Sequence, residues 1–239
     1  MPHWLIKEEE VVTELDEPSL AADRAYAELR SQLSSGNLLP GQRLVEAELV
    51  ASLGVSRAVV RATLSRLAHD GLVDKEPNRG ARVRLVSEAE AVEITQARAM
   101  LEALAAREAA VNASAEDLEA MRALIADMRR HLSENNFLLY SECNSELHRR
   151  IVSASGHSIA QRLITNLRAQ MVRFQYRTIL VPGRSNESLE EHTALVDAIV
   201  ARDPDRAEMA MRKHLANVGE NLVRTKDMSA ALASISRSD

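Results

Sequence analysis

Helix-breaking residues divide this chain into two parts of different architecture. Residues 81–155 contain neither glycine nor proline, whereas six such residues interrupt the stretch from 40 to 80. Glycine and proline end regular elements, so the first part must consist of short elements and the second of long ones. Ser87 followed by Glu90 has the spacing of a capping box, which opens a helix. We therefore place the boundary between the two parts near Val86.

The second part is predicted to be a helical bundle. Apolar residues make up 46% of the chain and aromatic residues only 3%, which favours packed helices over a sandwich or a barrel. Short breaks separate six helical segments, at 88–111, 115–132, 136–153, 158–180, 185–201 and 204–225. Long helices joined by short connections pack antiparallel. We expect a mostly α fold that ends in an antiparallel bundle of six to seven helices.

The first part has the pattern of a winged helix-turn-helix. Helices are predicted over 20–34, 46–53 and 57–69. Gly54 suits the left-handed backbone that a tight turn between the last two helices requires, and Ser56 can cap the third helix. Residues 72–75 and 81–85 flank a Pro-Asn-Arg-Gly turn, which predicts a short β-hairpin wing.

Basic residues are concentrated where this pattern lies. The whole chain has a net charge of -5, yet residues 18–86 contain ten Lys and Arg against seven acidic residues, a net charge of +3. Arg57 and Arg61 lie one turn apart, away from the apolar stripe of their helix. They could contact guanine edges or phosphates of DNA, or they could be solvated side chains of an ordinary amphipathic helix. The hairpin tip at Arg79 and Gly80 could reach a minor groove, or form an ordinary polar turn.

The first part resembles the winged helix-turn-helix of GntR-family bacterial transcription regulators. The matching motifs are PGQRL, EAEL, LGVSR, SRLAHDGLV and NRGARV, which cover nearly all of residues 20–86. The resemblance implies DNA contacts from five positions, namely Ser56, Arg57, Arg61, Arg79 and Gly80. Val45 stands where the family usually has a capping Ser, and Ala47 where it often has a DNA-contacting Arg. These departures leave DNA binding as the expected activity but do not define the operator sequence.

Three histidines of the second part fall on apolar helix faces. His148, His192 and His214 each lie one turn from an aliphatic side chain on their own predicted helix. Three different helices therefore direct an imidazole inward. Such a set could bind a metal ion, or it could consist of hydrogen-bonded core residues.

The second part resembles the FCD effector domain of the FadR-type branch of GntR regulators, through the motifs EITQARAMLEALAAREAA, NSELHRRIVSASG, EEHTALVDAI and MRKHL. The resemblance implies a divalent metal, zinc or another first-row ion such as nickel, bound by Asn144, His148, His192 and His214. The family usually has Asp at the first of these positions, and a neutral amide should hold the ion less tightly. Open coordination positions would suit a small carboxylate effector.

Arg98 is the candidate partner for that effector. It matches an arginine of the family's EVR-like motif, which implies that it neutralises the effector carboxylate. The same side chain could instead form an ion pair with Glu102, one turn further along the helix. The sequence leaves both interpretations open.

These observations predict a homodimeric, ligand-responsive repressor rather than an enzyme. Two winged domains would bind the half-sites of a pseudo-palindromic operator in double-stranded DNA. One alternative is a regulator that senses the metal itself. Another is a helical metal-dependent hydrolase, although no HExxH-like helix provides a general base beside the histidines.

The predicted organisation has four segments. They are an acidic, flexible tail over 1–17, the DNA-binding domain over 18–86, an effector-binding and dimerisation domain over 87–228, and a flexible tail over 229–239. The single cysteine, Cys143, excludes an intramolecular disulfide. No apolar run approaches the roughly 20 residues that span a bilayer, and the first residues lack the pattern of a secretory signal. We expect a cytoplasmic protein without a membrane partner.

Overall fold

Helices dominate the computed structural model, which describes residues 17–76, 80–171, 174 and 181–235, with side chains described from residue 19 to residue 224. The N-terminal elements are α1 (Glu17–Ser34), β1 (Arg43–Leu44), α2 (Glu46–Leu53), α3 (Arg57–His69), β2 (Val73–Glu76) and β3 (Gly80–Val83). The C-terminal elements are α4 (Glu88–Asn112), α5 (Ala115–Ser133), α6 (Phe137–Ala154), α7 (Ser158–Gln170), α8 (Arg184–Val200) and α9 (Pro204–Ile235). This architecture confirms the predicted fold class.

A tight turn joins α2 to α3 in the N-terminal part. Gly54 has φ +64°, a left-handed conformation that favours glycine, and its N–H donates to the carbonyl of Val50. Ser56 then caps α3, because its Oγ accepts a hydrogen bond from the N–H of Val59 at 3.3 Å. Val45 precedes α2 and provides no side-chain cap, because its side chain has no hydrogen-bond acceptor. The two helices therefore have the bounds that the sequence predicts.

One apolar core holds α1, α2, α3 and the sheet together. Its members include Leu29 of α1 and one stripe of α3, namely Val60, Leu64 and Leu67, each at most 2% exposed. Burial of a Leu or Val side chain stabilises a fold by roughly 1.5–3 kcal/mol. Because that stripe is fully used in the core, the opposite face of α3 is left to solvent.

The sheet is antiparallel in the order β1-β3-β2, and β1 is a strand that the sequence did not predict. The predicted strand over 81–85 ends instead at Val83, and the side chain of Leu85 is 60% exposed. At the other end of β3, Gly80 has φ +94°, and a Cβ built there would lie 2.2 Å from the carbonyl oxygen of Leu44. The close approach of β1 therefore requires glycine at this position.

We predict that Gly80→Ala destabilises the wing. The new Cβ would combine a left-handed backbone with a clash against β1, whereas Gly41→Ala places a Cβ at φ +80° with no heavy atom within 4 Å. The Gly80 variant should be less stable than the Gly41 variant by about 1–3 kcal/mol, since only it overpacks a backbone. Thermal unfolding of the two full-length variants measures the difference. Equal melting temperatures would show that the close approach of β1 is not rigid.

The C-terminal helices form a bundle around α4. This helix packs along α9 and also contacts α6, α7 and α8. It can lie in the middle because its buried positions are small, with Ala103, Ala105, Ala106, Ala109 and Ala110 all fully buried. Ser87 caps α4 as predicted, and Ser114 caps α5 in a capping box with Asp117. No helix within the described ranges is both long and apolar enough to cross a membrane.

Two helix ends of the bundle differ from the predicted bounds. Helix α7 ends at Gln170, ten residues before the predicted end, and residues 172–173 and 175–180 lie outside the description. Helix α9 continues to Ile235, so residues 229–235 are helical where the sequence predicts a flexible tail. Alanine and leucine in this segment favour the helix. Most of the acidic tail, residues 1–16, also lies outside the described residues.

The end of α7 contacts the N-terminal part. Ala169 packs against the apolar core around α3. The amide oxygen of Gln170 accepts a hydrogen bond from Arg84 Nη1 at 2.9 Å, and its Nε2 faces the carbonyl oxygen of Asp70 at 3.4 Å. Arg84 also pairs with Glu90 at the start of α4. The two parts are thus joined by side-chain contacts as well as by the chain itself.

Candidate functional site

The exposed face of α3 carries the residues predicted to contact DNA. Arg57 is exposed and forms no ion pair within the described part of the chain. The Arg61 side chain is 65% exposed, and its Nε lies 3.0 Å from Glu46 Oε2 on α2. Ser56 is occupied as the helix cap. Gly80 opens β3, whereas Arg79 lies outside the described residues. DNA contact by these residues stays a prediction.

The three inward histidines meet in the middle of the bundle. His148 on α6, His192 on α8 and His214 on α9 are at most 3% exposed, and one nitrogen of each lies within 4.8 Å of the others. His148 Nε2 and His192 Nε2 lie 3.0 Å apart, and the ring centroids of His192 and His214 lie 4.2 Å apart. Two nitrogens that each lie about 2.1 Å from one ion are separated by about 3.0 to 3.4 Å. The spacing of this pair therefore fits a shared metal ion.

The outer nitrogen of each imidazole has its own acceptor. His148 Nδ1 lies 2.6 Å from Glu102 Oε2, and His214 Nδ1 lies 2.7 Å from Glu191 Oε2. His192 Nδ1 lies 2.6 Å from the carbonyl oxygen of Ser188. Metal-binding histidines commonly donate their second N–H to a carboxylate or a carbonyl, which fixes the ring and its tautomer. The three rings have this arrangement.

These acceptors determine which nitrogens carry lone pairs. A carbonyl and a carboxylate can only accept, so His192 and His148 hold their protons on Nδ1. Burial lowers the pKa of His148 to about 4, against the opposing effect of Glu102, and burial lowers the pKa of His192 well below its usual value. Two unprotonated Nε2 atoms therefore face each other at 3.0 Å. A cation between them would remove this repulsion.

Asn144 provides the fourth position of the predicted metal set. Its Oδ1 is buried and has no hydrogen-bond partner within the described residues. Asn144 and His148 lie one turn apart on α6 and line the same cavity, together with His214. A buried amide oxygen without a partner costs stability unless a hydrogen-bond donor or a cation contacts it. The donor set thus fits a divalent ion, with one neutral oxygen where the family usually has a carboxylate.

A cavity of about 110 Å³ opens beside the histidines. Of the residues that the structure describes, three arginines line it, Arg98, Arg168 and Arg184. Arg98 forms an ion pair with Glu102, with Nη2–Oε1 2.7 Å, which is the second of the two interpretations that the sequence left open. It also faces the cavity, so the pairing does not remove it as an effector contact.

Two carboxylates hold this cluster in place, and sequence reasoning did not assign either to the histidines. Burial raises the pKa of Glu102, but Arg98 and His148 outweigh that effect and keep it well below the usual range. Burial also raises the pKa of Glu191, yet hydrogen bonds from His214, Arg184 and Asn217 lower it to about 2. Both groups are therefore anionic at neutral pH. The only local signal was at Glu102, which stands among apolar residues in the sequence MLEALAA of the Ala-rich helix α4.

Two family models match the chain, one on each side of the predicted boundary at residue 86. The model described as "Bacterial regulatory proteins, gntR family" matches residues 21–83. The FCD domain model matches residues 93–217, which include the whole histidine cluster.

Named relatives and solved structures extend the similarity over most of the chain. A probable D-xylose utilization operon transcriptional repressor of Paenarthrobacter nicotinovorans is 30% identical over 189 residues, 77% of this chain and 81% of that protein. The HTH-type transcriptional repressor RspR of Escherichia coli (strain K12) is 26% identical over 212 residues, 89% of this chain and 93% of that protein. The structure of E. coli McbR/YncC aligns with a TM-score of 0.72 at 24% identity, over 86% of this chain and 98% of that one, and shares the fold.

Proposed function

The chain belongs to the gntR family of bacterial regulatory proteins and carries an FCD domain, and from this premise we propose that it is a ligand-responsive transcriptional repressor. Both matches identify a transcription regulator rather than an enzyme. It binds a pseudo-palindromic operator as a homodimer, since a twofold protein matches twofold DNA. It acts in the cytoplasm, where its DNA lies.

The exposed face of α3 supports DNA binding through the major groove. The N–H groups at the start of this helix, with the Ser56 cap, would contact a phosphate. Arg57 is available for a base edge or a phosphate, and Arg61 is held on the same surface by Glu46. Gly80, at the start of β3, and Arg79 would contact an adjacent groove or phosphate. Arginine contacts of these kinds are what position a winged domain and read bases.

We expect Arg57→Ala and Arg61→Ala each to weaken operator binding by about 1–3 kcal/mol, roughly 5- to 150-fold. The operator would be a duplex that the wild-type protein selects from a random library, and affinities would be measured at one fixed salt concentration. Arg122→Ala, on the exposed surface of α5, is the matched control. Wild-type affinity in both α3 variants would exclude the proposed contacts.

The histidine cluster supports a metal-containing effector site. Asn144, His148, His192 and His214 would hold a divalent first-row ion, zinc or an ion such as nickel. The bound ion would supply positive charge and free coordination positions to the carboxylate of an effector. Arg98 faces the same cavity and would bind or neutralise that carboxylate. Glu102, Glu191 and the carbonyl of Ser188 orient the three rings.

The observation that supports a response to ligand is that the end of α7 contacts both the cavity and the winged domain. Arg168 and Met171 line the cavity, while Ala169, between them, packs against the core of the winged domain. Gln170 bonds to Arg84 and reaches the turn after α3. A ligand that shifts the end of α7 would therefore move α3 relative to the bundle. A coupling of about 1–3 kcal/mol between the two sites is enough for a useful switch.

A second candidate, in which the metal itself is the signal, is favoured by the facing lone pairs of His148 and His192. Operator binding measured over a zinc titration, with no organic acid present, separates the two. A metal sensor changes its DNA affinity along the zinc saturation curve. An effector-responsive regulator does so only when an organic acid is added to the zinc-loaded protein.

A further inference from the structure

The charges around the cavity do not cancel. Arg184 is neutralised by Glu191 through two contacts, Nη1–Oε1 at 3.1 Å and Nη2–Oε2 at 2.7 Å. Arg98 is neutralised by Glu102. The third guanidinium that lines the cavity, Arg168, has no carboxylate within 4.0 Å among the described residues. Its Nη2 has a carbonyl partner only, the oxygen of Ser145 at 3.3 Å.

Arg168 keeps its charge in this position. Burial lowers its pKa to about 10, Glu102 acts in the opposite direction, and the like charge of Arg98 lowers the pKa further. A group with that pKa is still cationic at neutral pH. Glu102, whose charge acts on Arg168, is in direct contact with Arg98 and His148 instead. Among the described residues, three arginines at the cavity are therefore matched by two carboxylates, Glu102 and Glu191.

The remaining lining groups do not supply the missing anion. None of the described residues that line the cavity is Asp or Glu, and Asn144 is neutral. Arg168 is anchored on Ser145, the residue next to Asn144, so its guanidinium lies on the same wall as the histidine cluster. A small molecule that lies along this wall can therefore contact the cluster and Arg168 at the same time.

We propose that the effector is a small organic dianion, with one acid group at the histidine cluster and the second acid group on Arg168. The inference rests on the proposed function, that of a carboxylate-responsive regulator, and it narrows the class of ligand from any carboxylate to one with two acid groups. Arginine binds carboxylates and phosphates through two parallel hydrogen bonds, so Arg168 should bind the second acid group of a ligand more tightly than an uncharged group in the same place. Arg168 is then the residue that selects dianions over monoanions.

Pairs of acids of equal carbon number test this selectivity. Succinate and glutarate would be compared with butyrate and valerate by calorimetric titration of the zinc-loaded, full-length protein. We expect the wild type to prefer the dicarboxylate of each pair by roughly tenfold to hundredfold, the effect of one charged hydrogen-bonded pair. Arg168→Gln should lose this preference and keep its monocarboxylate affinity. Arg162→Gln, an exposed arginine on the same helix, is the control.

The unliganded Arg168→Gln variant provides a second readout. Removing a half-buried cation that lacks a carboxylate should leave the melting temperature equal or higher, whereas a structural role for Arg168 would lower it. A lower melting temperature, or equal loss of mono- and dicarboxylate binding in the variant, would overturn the inference. Equal wild-type affinity for the two acids of each pair would overturn it too, and would leave the carboxylate-responsive regulator standing. Binding of none of the four acids would count against both.

Discussion

His192→Ala is expected to remove high-affinity metal binding. The ring is fully buried, its Nδ1 is fixed by the carbonyl of Ser188, and its Nε2 faces that of His148 at 3.0 Å. Changing a residue that only orients a ligand typically costs tenfold to hundredfold in metal affinity, so loss of a direct donor should cost more than about hundredfold. Competition with a chelator of known zinc affinity, followed by elemental analysis, measures the change.

Three further variants make this result specific. Glu102→Gln keeps all three rings but weakens the acceptor for His148 Nδ1, and it should give the smaller, tenfold to hundredfold loss. His131→Ala, on α5 and away from the cluster, should bind zinc as the wild type does. His192→Gln checks that any loss does not come from a collapsed bundle, because it keeps a polar side chain of similar size. Zinc affinity that is unchanged in both His192 variants would show that the histidines are packed core residues and not metal ligands.

The elements that could be predicted from the sequence are those specified by neighbouring residues. Helices α2 and α3 have their predicted bounds because a glycine in left-handed conformation and a serine cap act within a few residues of the turn. The caps Ser87 and Ser114 fix the starts of α4 and α5 in the same way. Helical periodicity also indicated which histidines turn inward, and the structure brings all three together.

Features that depend on distant parts of the chain could not be predicted. Strand β1 is two residues long and exists only because β3 pairs with it, so no local pattern indicates it. Helix α4 has no single apolar face, because neighbours surround it on several sides. Arg98 and Arg184 pair with carboxylates of their own helices, but the unmatched charge of Arg168 becomes visible only when α4, α7 and α8 bring the three arginines to one cavity. That convergence is a property of the packed bundle.

The second large effect is expected at the junction between the two parts. Ala169→Glu would place a charge against the apolar core of the winged domain and loosen the docking of α7. The wild type should change its operator affinity by about 5- to 150-fold when saturated with succinate, and the variant by a factor near one. Operator binding without the acid, and succinate binding without DNA, should both survive. Gln161→Glu, which adds the same charge on the exposed start of α7, is the control.

Reciprocity gives this prediction an independent check. If succinate changes operator affinity by a given factor, saturating operator must change succinate affinity by the same factor, because the two binding equilibria form one closed thermodynamic cycle. Ala169→Glu should abolish both changes together, and Gln170→Ala, which removes the hydrogen bonds to Arg84 and Asp70 together with one to Asn166 in α7 itself, should reduce both in proportion. A variant that loses neither change would show that the signal reaches α3 by a route other than α7. Loss of one change without the other would reveal a second linked equilibrium, such as dimer dissociation, and the measurements would then be repeated over a range of protein concentrations.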